Sequence, residues 1–307
     1  MKLQLIIATG NENKVREIRE ILVDPDLTVI SMAQAGIESD PDETGTTFEE
    51  NALIKVRAAA EVFRKKYESP VETGHPGVKN PSGGSHCELL FAQTGDGLWK
   101  PDPDLPLAIL ADDSGLVVDA LGGMPGIYSA RYLGRDTSYE YKMRHIMDEM
   151  RDVRGADRSA RFTCACAAMI PARWLRRDFL TGGDAESSAE KSPVRCSALS
   201  ADWAELVVVR SMEGEIAREI AGGNGFGYDP FFYLPDVQKT SAEVTEEEKN
   251  AISHRGKAFR AMLQELRGII SGAEQAYETS SARDTDRTDG RTGAGESYFR
   301  GKRAALS

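Results

Sequence analysis

This sequence is poor in cysteine, in long apolar runs and in positive charge. It has four cysteines, none at the spacing of zinc ligands, and no apolar run reaches the ~20 residues that span a bilayer. Aspartate and glutamate number 49 against 38 lysines and arginines, giving a net charge of −11, which disfavours the basic face of a general nucleic-acid binder. We therefore expect a reduced, cytoplasmic protein, with neither a membrane nor a nucleic acid among its partners.

What the chain does contain is the composition of a globular domain. It is 40% apolar and 28% charged, as ordinary soluble proteins are. We predict a single domain over 1–270 that carries two surface insertions, at about 69–106 and 172–200, because both segments are polar and lack periodicity. The tail, 271–307, has few apolar residues and is expected to be disordered.

Apolar periodicity predicts alternating strands and helices early in the chain and mostly strands later. Strands are expected at 2–8, 27–31, 159–170, 204–210 and 214–220, together with an apolar strand that starts at Leu107. Helices are expected after Gly10 and from capping boxes at Thr47, Thr137 and Thr245 to about Lys66, Met150 and Ile270. This order predicts an α/β protein, a mixed β-sheet flanked by helices.

Two adjacent carboxylates, Asp112 and Asp113, end the apolar strand from Leu107 and are followed by Ser114 and Gly115. A strand that is apolar at nearly every position is buried on both faces, and open α/β sheets bind ligands where the chain leaves the sheet. Touching carboxylates repel each other unless a cation lies between them or one is protonated. Taken alone, however, the pattern fits an ordinary Asx turn equally well.

The segment Thr9–Lys14 joins the first strand to the first helix. Exposed N–H groups and the helix dipole attract anions at such a junction, and Lys14 adds a positive charge. The segment matches neither of the common glycine-rich phosphate loops, so by itself a polar turn with an asparagine cap is the simpler interpretation.

Glu43 precedes the second helix and Lys55 lies about two turns into it. Solvated surface positions are the default for both side chains. If the loop that carries Glu43 folds toward Asp113, however, the two carboxylates offer the hard oxygen donors that suit Mg²⁺.

The segment Gly222–Pro230 contains four glycines, two aromatic residues and an Asp-Pro pair. A flexible loop that presents a flat ring is a natural stacking surface for a base. A glycine-rich turn with buried aromatics is an equally good interpretation of these residues alone.

His254 and Arg255 stand side by side in the last helical region, with Lys249 on the same segment. A lone histidine is more often structural than functional. Together, however, these side chains offer donors that would suit the 6-oxo group of a purine and not the 6-amino group of adenine.

Six blocks follow one another along the chain: Ala8–Asn11 with Lys14; Glu43–Gly45 with Phe48, Glu50–Ala52 and Lys55; Ala111–Leu116; Leu121–Tyr132; Gly225–Phe232; and Glu247–Arg255. In this order they resemble the inosine triphosphate pyrophosphatase family, hydrolases that remove noncanonical purine nucleoside triphosphates. The resemblance covers about 1–68, 107–171 and 201–270 and leaves out both insertions and the tail.

The resemblance implies a fold and a reaction. The fold is an elongated mixed sheet flanked by helices, with two lobes and a central nucleotide cleft, usually in a homodimer. The reaction is hydrolysis of ITP, dITP or XTP to the monophosphate and pyrophosphate, with Mg²⁺, or alternatively Mn²⁺, held by Glu43 and Asp113.

The resemblance also implies roles for the matching residues. Asp113 and Lys55 would be catalytic, with Asp113 as the general base; a metal-bound carboxylate is a weakened base, so Asp112 or a metal-bound hydroxide remains an alternative. The implied substrate-binding residues are Thr9, Gly10, Asn11, Lys14 and Ser114 near the triphosphate, and Phe226, Gly227, Tyr228, Asp229, Lys249, His254 and Arg255 near the base.

Three other hypotheses are open at this point. A Maf-like pyrophosphatase of similar architecture would act on modified pyrimidine or methylated nucleotides, but the blocks around Phe226 and His254 disfavour it. A nucleotide sensor would bind without turnover, which the intact carboxylates disfavour. The insertions could recruit a protein partner, and the one at 69–106 could modulate access to the cleft or oligomerisation without supplying a catalytic group.

Overall fold

The structure is a computed structural model that describes residues 1–68, 98–176, 195–200 and 202–270, the third range by its backbone alone. The described strands are β1 (Leu3–Ile7), β2 (Leu27–Ser31), β3 (Leu107–Val118), β4 (Ser159–Pro171), β5 (Arg195–Ser200), β6 (Trp203–Ile216), β7 (Phe232–Leu234) and β8 (Lys239–Thr240). The α-helices are α1 (Glu12–Ile21), α2 (Phe48–Tyr67), α3 (Tyr139–Glu149), α4 (Glu246–Ile252) and α5 (His254–Ile269). None of these helices has the length and apolarity that crossing a bilayer would require.

The described strands form one mixed sheet in the order β2-β1-β3-β4-β6-β7-β8, with β5 also paired to β6. β1 runs parallel to β2 and β3, and the other pairings are antiparallel. Helices α1 and α5 cover one face through an apolar cluster, and α2 covers the other through a second cluster. A third cluster joins α3 to the far ends of β3, β4 and β6. The predicted α/β fold with a mixed sheet is therefore confirmed.

Polar side chains begin the helices, as the sequence indicates. Asn11, Thr47 and Thr245 accept hydrogen bonds from backbone N–H groups in the first turns of α1, α2 and α4. The cap of α3 is Ser138, one residue after the predicted Thr137. These caps satisfy N–H groups that have no partner within a helix.

The prediction that the apolar strand ends at Asp112 and Asp113 is wrong. β3 continues to Val118, because residues 109–118 pair in antiparallel register with residues 160–169 of β4. What ends there is the neighbouring strand: β1 pairs with β3 only as far as Ile7 opposite Leu110. The two aspartates therefore lie in the middle of β3, just past the point where β1 stops pairing with its edge.

The last helical region is two helices, not one. Ser253 is extended, with φ −63° and ψ 151°; its backbone N–H donates to the carbonyl of Lys249, and its hydroxyl accepts from the N–H of Gly256. A Cβ atom at Gly256 would lie 2.2 Å from the carbonyl oxygen of Asn250, so glycine allows this tight junction. The break places His254 and Arg255 at the start of α5.

The two strands predicted at 204–210 and 214–220 are one strand, β6, which ends at Ile216. Gly214 does not interrupt it: a Cβ atom there would lie 2.5 Å from the carbonyl oxygen of Tyr233, so the glycine allows β7 to approach closely. In addition, part of the segment predicted as the second insertion, Arg195–Ser200, is strand β5.

Several predictions fall wholly or partly outside the described residues. These are the first insertion up to residue 97, residues 177–194 of the second, and the tail, 271–307. Cys164 and Cys166, the cysteines that are described with their side chains, are free and buried in the core.

Candidate active site

A cavity of about 470 Å³ opens beyond the end of β1, beside the uncovered part of β3. The residues that line it come from loops, helices and strands between Ala8 and Arg255. All of the predicted site residues lie on its wall: Thr9, Gly10, Asn11, Lys14, Glu43, Lys55, Asp113, Ser114, Phe226, Gly227, Tyr228, Asp229, Lys249, His254 and Arg255. Asp112 does not line it.

Asp112 and Asp113 face opposite sides of the sheet, because successive side chains of a strand alternate. Asp112 lies on the α1 and α5 side, where its Oδ2 accepts from Lys14 Nζ at 3.0 Å and from Arg255 Nε and Nη2 at 3.3 Å. Burial alone would raise the pKa of Asp112, but the charges of Lys14 and Arg255 outweigh it and hold the pKa well below the usual range. Asp112 is therefore ionised at neutral pH and paired with Lys14 and Arg255 on the α1 and α5 side of the sheet.

Asp113 lies on the α2 side and reaches the cavity. Its Oδ1 accepts from Lys55 Nζ at 2.7 Å and its Oδ2 from Asn51 Nδ2 at 3.2 Å. The pKa of Asp113 is raised, because burial and the neighbouring Glu43 carboxylate together outweigh the attraction of Lys55. Of the two aspartates, only Asp113 combines access to the cavity with increased basicity.

Glu43 shares Lys55 with Asp113. Its Oε1 lies 2.7 Å from Lys55 Nζ, and its Oε2 accepts from Arg131 Nη1, also at 2.7 Å. Burial acts to raise the pKa of Glu43, but Lys55 and Arg131 lower it on balance. Lys55 itself is mostly buried, yet its pKa is raised because Asp113, Glu43 and Asp112 surround it. The loop that carries Glu43 does fold toward Asp113, as the metal hypothesis required.

The start of α1 forms the opposite wall of the cavity. Asn11 caps the helix, with its Oδ1 accepting from the N–H groups of Asn13 and Lys14 at 3.0 and 3.3 Å. Thr9 accepts from the N–H of Asn11 at 3.2 Å. The asparagine cap and an anion-attracting helix start are thus both present in one turn.

The segment Gly222–Pro230, here called the glycine-rich loop, is built around Asp229. This buried carboxylate accepts from the backbone N–H of Phe226 at 2.8 Å, from Lys249 Nζ at 2.7 Å and from the Ser241 hydroxyl at 3.0 Å. Gly225 has φ +75°, and a Cβ atom there would lie 2.3 Å from Asp229, so the turn requires glycine. The Phe226 ring is held with the charges of Lys249 and Arg255 5.3 and 5.7 Å from its centre.

His254 and Arg255 lie behind the glycine-rich loop in different environments. The His254 imidazole stacks on Phe162, with ring centres 4.9 Å apart and 14° between the planes. Burial, followed by the charges of Arg255 and Lys249, lowers the pKa of His254 well below its ordinary value. Arg255 is held by Glu17 at 2.5 Å, by Asp112 and by the Ser114 hydroxyl at 2.9 Å. At neutral pH, His254 is neutral and Arg255 is charged.

We expect His254 to reduce stability in mild acid. Below about pH 6.5 the unfolded chain protonates this histidine while the folded protein does not, so the free energy of unfolding falls as pH falls, by up to about 1.4 kcal/mol per pH unit. The measurement is urea unfolding of wild type and His254→Gln between pH 7.5 and 5. The wild type should lose stability relative to the variant toward acid pH; a difference independent of pH would contradict the buried neutral state.

The site also contains residues that sequence reasoning did not assign. Asn51, Arg131, Glu17 and Phe162 hold Asp113, Glu43, Arg255 and His254 respectively. Asn51 and Arg131 lie within blocks that were recognised, and Asn51 stands four residues before Lys55, on the same helix face. Nothing in the local sequence of Glu17 or Phe162 indicates a partner so distant along the chain.

Comparison with known proteins gives consistent results. A family model described as the Ham1 family matches residues 5–71 and 98–265. A dITP/XTP pyrophosphatase from Shigella flexneri is 36% identical over 264 residues, 86% of this chain and 98% of that protein, and one from Escherichia coli K12 is 35% identical over the same length. A solved structure of a HAM1 protein from Coxiella burnetii is 32% identical, with a TM-score of 0.56 over 87% of this chain and 99% of that one.

Proposed function

Because this chain belongs to the Ham1 family, we infer that it is a nucleoside triphosphate pyrophosphatase. It hydrolyses noncanonical purine nucleoside triphosphates, such as dITP, ITP and XTP, to the monophosphate and pyrophosphate. The observation that supports this most strongly is the divided orientation of the two adjacent aspartates. It leaves Asp113 in the cavity as an available base and Asp112 behind it, paired with Arg255 and Lys14.

The triphosphate is assigned to the end of the cavity between α1 and α2. The N–H groups at the start of α1, with Thr9, Gly10 and Asn11, provide donors for phosphate oxygens. Lys14 and Lys55 add positive charge from the two sides, and Ser114 lies beside them. An anion held here would lie next to Asp113.

The residues present fit a divalent cation. Glu43 Oε1 and Asp113 Oδ1 come from different elements and each lies 2.7 Å from the ammonium of Lys55, so carboxylate oxygens already converge on one positive charge. Within the described residues, no cluster of three or more His, Cys, Asp or Glu side chains could hold a metal, so Glu43 and Asp113 would share the ion with phosphate oxygens and water. When bound, Mg²⁺ or Mn²⁺ neutralises phosphate charge and orients the substrate.

Asp113 is assigned as the general base. Water adds to the α-phosphorus, Asp113 takes a proton from that water, and the bond from the α-phosphorus to the bridging oxygen breaks to release pyrophosphate. The raised pKa of Asp113 increases its proton affinity, which favours it as a base. Lys55 stabilises the negative charge on the phosphoryl oxygens. Asp112 is a poor alternative, because its charge is committed to Lys14 and Arg255.

The purine is assigned to the end of the cavity lined by the glycine-rich loop. Phe226 supplies the stacking surface, and Gly227 and Tyr228 continue the wall beside it. The buried Nδ1 atom of His254 has no hydrogen-bond partner among the described residues, and we assign the imidazole to the 6-oxo group, with Arg255 next to it. Asp229 and Lys249 pair with each other and fix the position of the glycine-rich loop. We therefore assign both to the part of the site that binds the edge of the base, where they act by holding that loop.

The enzyme is further proposed to be cytoplasmic and a homodimer. Buried free thiols at Cys164 and Cys166 suit a reducing compartment. Met124, Tyr128 and Leu133 are 39, 46 and 41% exposed on one loop and offer apolar surface to a second copy. Light scattering of the purified chain tests this: a mass of about twice 33.5 kDa is expected.

Product analysis tests the proposed reaction. With Mg²⁺, dITP and XTP should give pyrophosphate and the monophosphate, and substitution of Phe226 by Ala should raise KM for both. The predicted rise is about fivefold to a hundredfold, the range for losing a base–aromatic stack.

The same assay separates the rival functions. Faster hydrolysis of dUTP or dTTP than of dITP would support a Maf-like enzyme. Tight binding of dITP without pyrophosphate release would support a sensor, and release of phosphate with the diphosphate would contradict attack at the α-phosphorus.

A further inference from the structure

Tyr139, the first residue of α3, lies on the cavity wall but has no role in the mechanism above. Its ring lies beside the backbone of Gly227: a Cβ atom added to Gly227 would be 3.6 Å from the Cε1 atom of the Tyr139 ring. On the same side it meets the Tyr228 ring edge to face, with centres 5.1 Å apart and 89° between the planes. Tyr139 therefore flanks the segment that also carries Phe226.

The position of the Tyr139 ring is fixed from behind. The ammonium of Lys142, one turn further along α3, lies 4.9 Å from the ring centre and donates to the carbonyl of Ala130 at 2.7 Å. Lys142 is only 1% exposed. Tyr228 is anchored as well, because its hydroxyl donates to the carbonyl of Ser129 at 3.0 Å. Because the Tyr139 ring is held on three sides, it loses little conformational entropy when a ligand binds.

The Tyr139 hydroxyl, by contrast, forms no hydrogen bond with any residue that the structure describes, and the side chain is 37% exposed. Its contacts to Gly227, Tyr228 and Lys142 are all made through the ring. What Tyr139 presents to the cavity is thus a preset, partly uncovered aromatic surface beside the proposed base-stacking loop.

We propose that Tyr139 is a further substrate-binding residue whose ring contacts the nucleoside part of the substrate. This inference rests on the proposed function, because it takes the glycine-rich loop as the purine end of the cavity. The contact is aromatic and apolar, it complements Phe226, and it does not extend to the triphosphate.

The test is steady-state hydrolysis of XTP by wild type and by Tyr139→Ala and Tyr139→Phe. Tyr139→Ala should raise KM about tenfold with little change in kcat, as loss of an aromatic contact to a base would. Tyr139→Phe keeps the ring and should stay close to wild type. Tyr141→Ala is the matched control, since Tyr141 lies on the same helix, is 59% exposed and does not line the cavity.

Inorganic tripolyphosphate, which has no nucleoside, separates a direct contact from a structural effect. Its inhibition constant against wild type and Tyr139→Ala should be the same. A parallel rise in this constant and in KM, equal losses in Tyr139→Phe and Tyr139→Ala, or no change in Tyr139→Ala would each overturn the proposal. Failure of the wild type to hydrolyse XTP would instead refute the proposed function.

Discussion

Asp113→Asn should lower kcat for dITP about 10²- to 10⁴-fold, the range for loss of a general base. Asparagine has almost the same shape, and its one amide oxygen can still accept from Lys55, but its NH₂ group cannot accept from Asn51 and the side chain cannot take a proton from water. The measurement pairs steady-state pyrophosphate release with calorimetric titration of dITP into the variant. A variant that retains most of the wild-type kcat would exclude Asp113 as the base.

The stability of Asp113→Asn provides its control. Because the pKa of Asp113 is raised in the folded protein, its ionised form is disfavoured there at neutral pH. Removing this charge should leave the free energy of unfolding near that of the wild type, with Glu43 still paired to Lys55. A large loss of stability would mean that the drop in kcat reflects misfolding.

Asp112→Asn should have the opposite outcome, a loss of about 3–5 kcal/mol in the free energy of unfolding, the range for breaking a buried ion pair. Asp112 and Arg255 have side chains that are 0 and 3% exposed. Without the carboxylate, Arg255 keeps Glu17 as its remaining charged partner, and Lys14 loses the anion that it contacts at 3.0 Å. Urea unfolding at pH 7.5 measures the change.

The two adjacent variants are matched in chemistry and differ only in which face of β3 they change. On heating, Asp112→Asn should unfold at a lower temperature than Asp113→Asn. At temperatures where both variants are folded, Asp113→Asn should be the inactive one. Equal losses of stability would contradict the separation of a structural aspartate from a catalytic one.

The sequence was sufficient to predict which residues line the site, but not which of the two aspartates faces the cavity. Recognition of the block around Asp113 placed it with Glu43 and Lys55, and the structure brings all three together. Reading the apolar run as ending at Asp112 hid the alternation that separates the two aspartates. The antiparallel pairing with β4 that extends β3 past them is a long-range contact, and local periodicity carries no information about it.

The break at Ser253 was missed for a different reason. Apolar residues continue at helical spacing on both sides of it, so one helix fits the pattern as well as two. The local signals of the break are Ser253, which caps the second helix, and Gly256, three residues later, which allows the close contact. Strand β5 was missed because its composition matches that of the polar segment before it.

Pyrophosphate release from ITP and ATP, compared as kcat/KM with Mg²⁺ at neutral pH, tests the central claim most directly. The two bases carry different groups at position 6, an oxo group in ITP and an amino group in ATP. A site in which neutral His254 and charged Arg255 donate to the oxo group should prefer ITP by about 10²-fold or more, because the amino group leaves those donors unpaired. Equal values for ITP and ATP, or no release from ITP, would contradict the account.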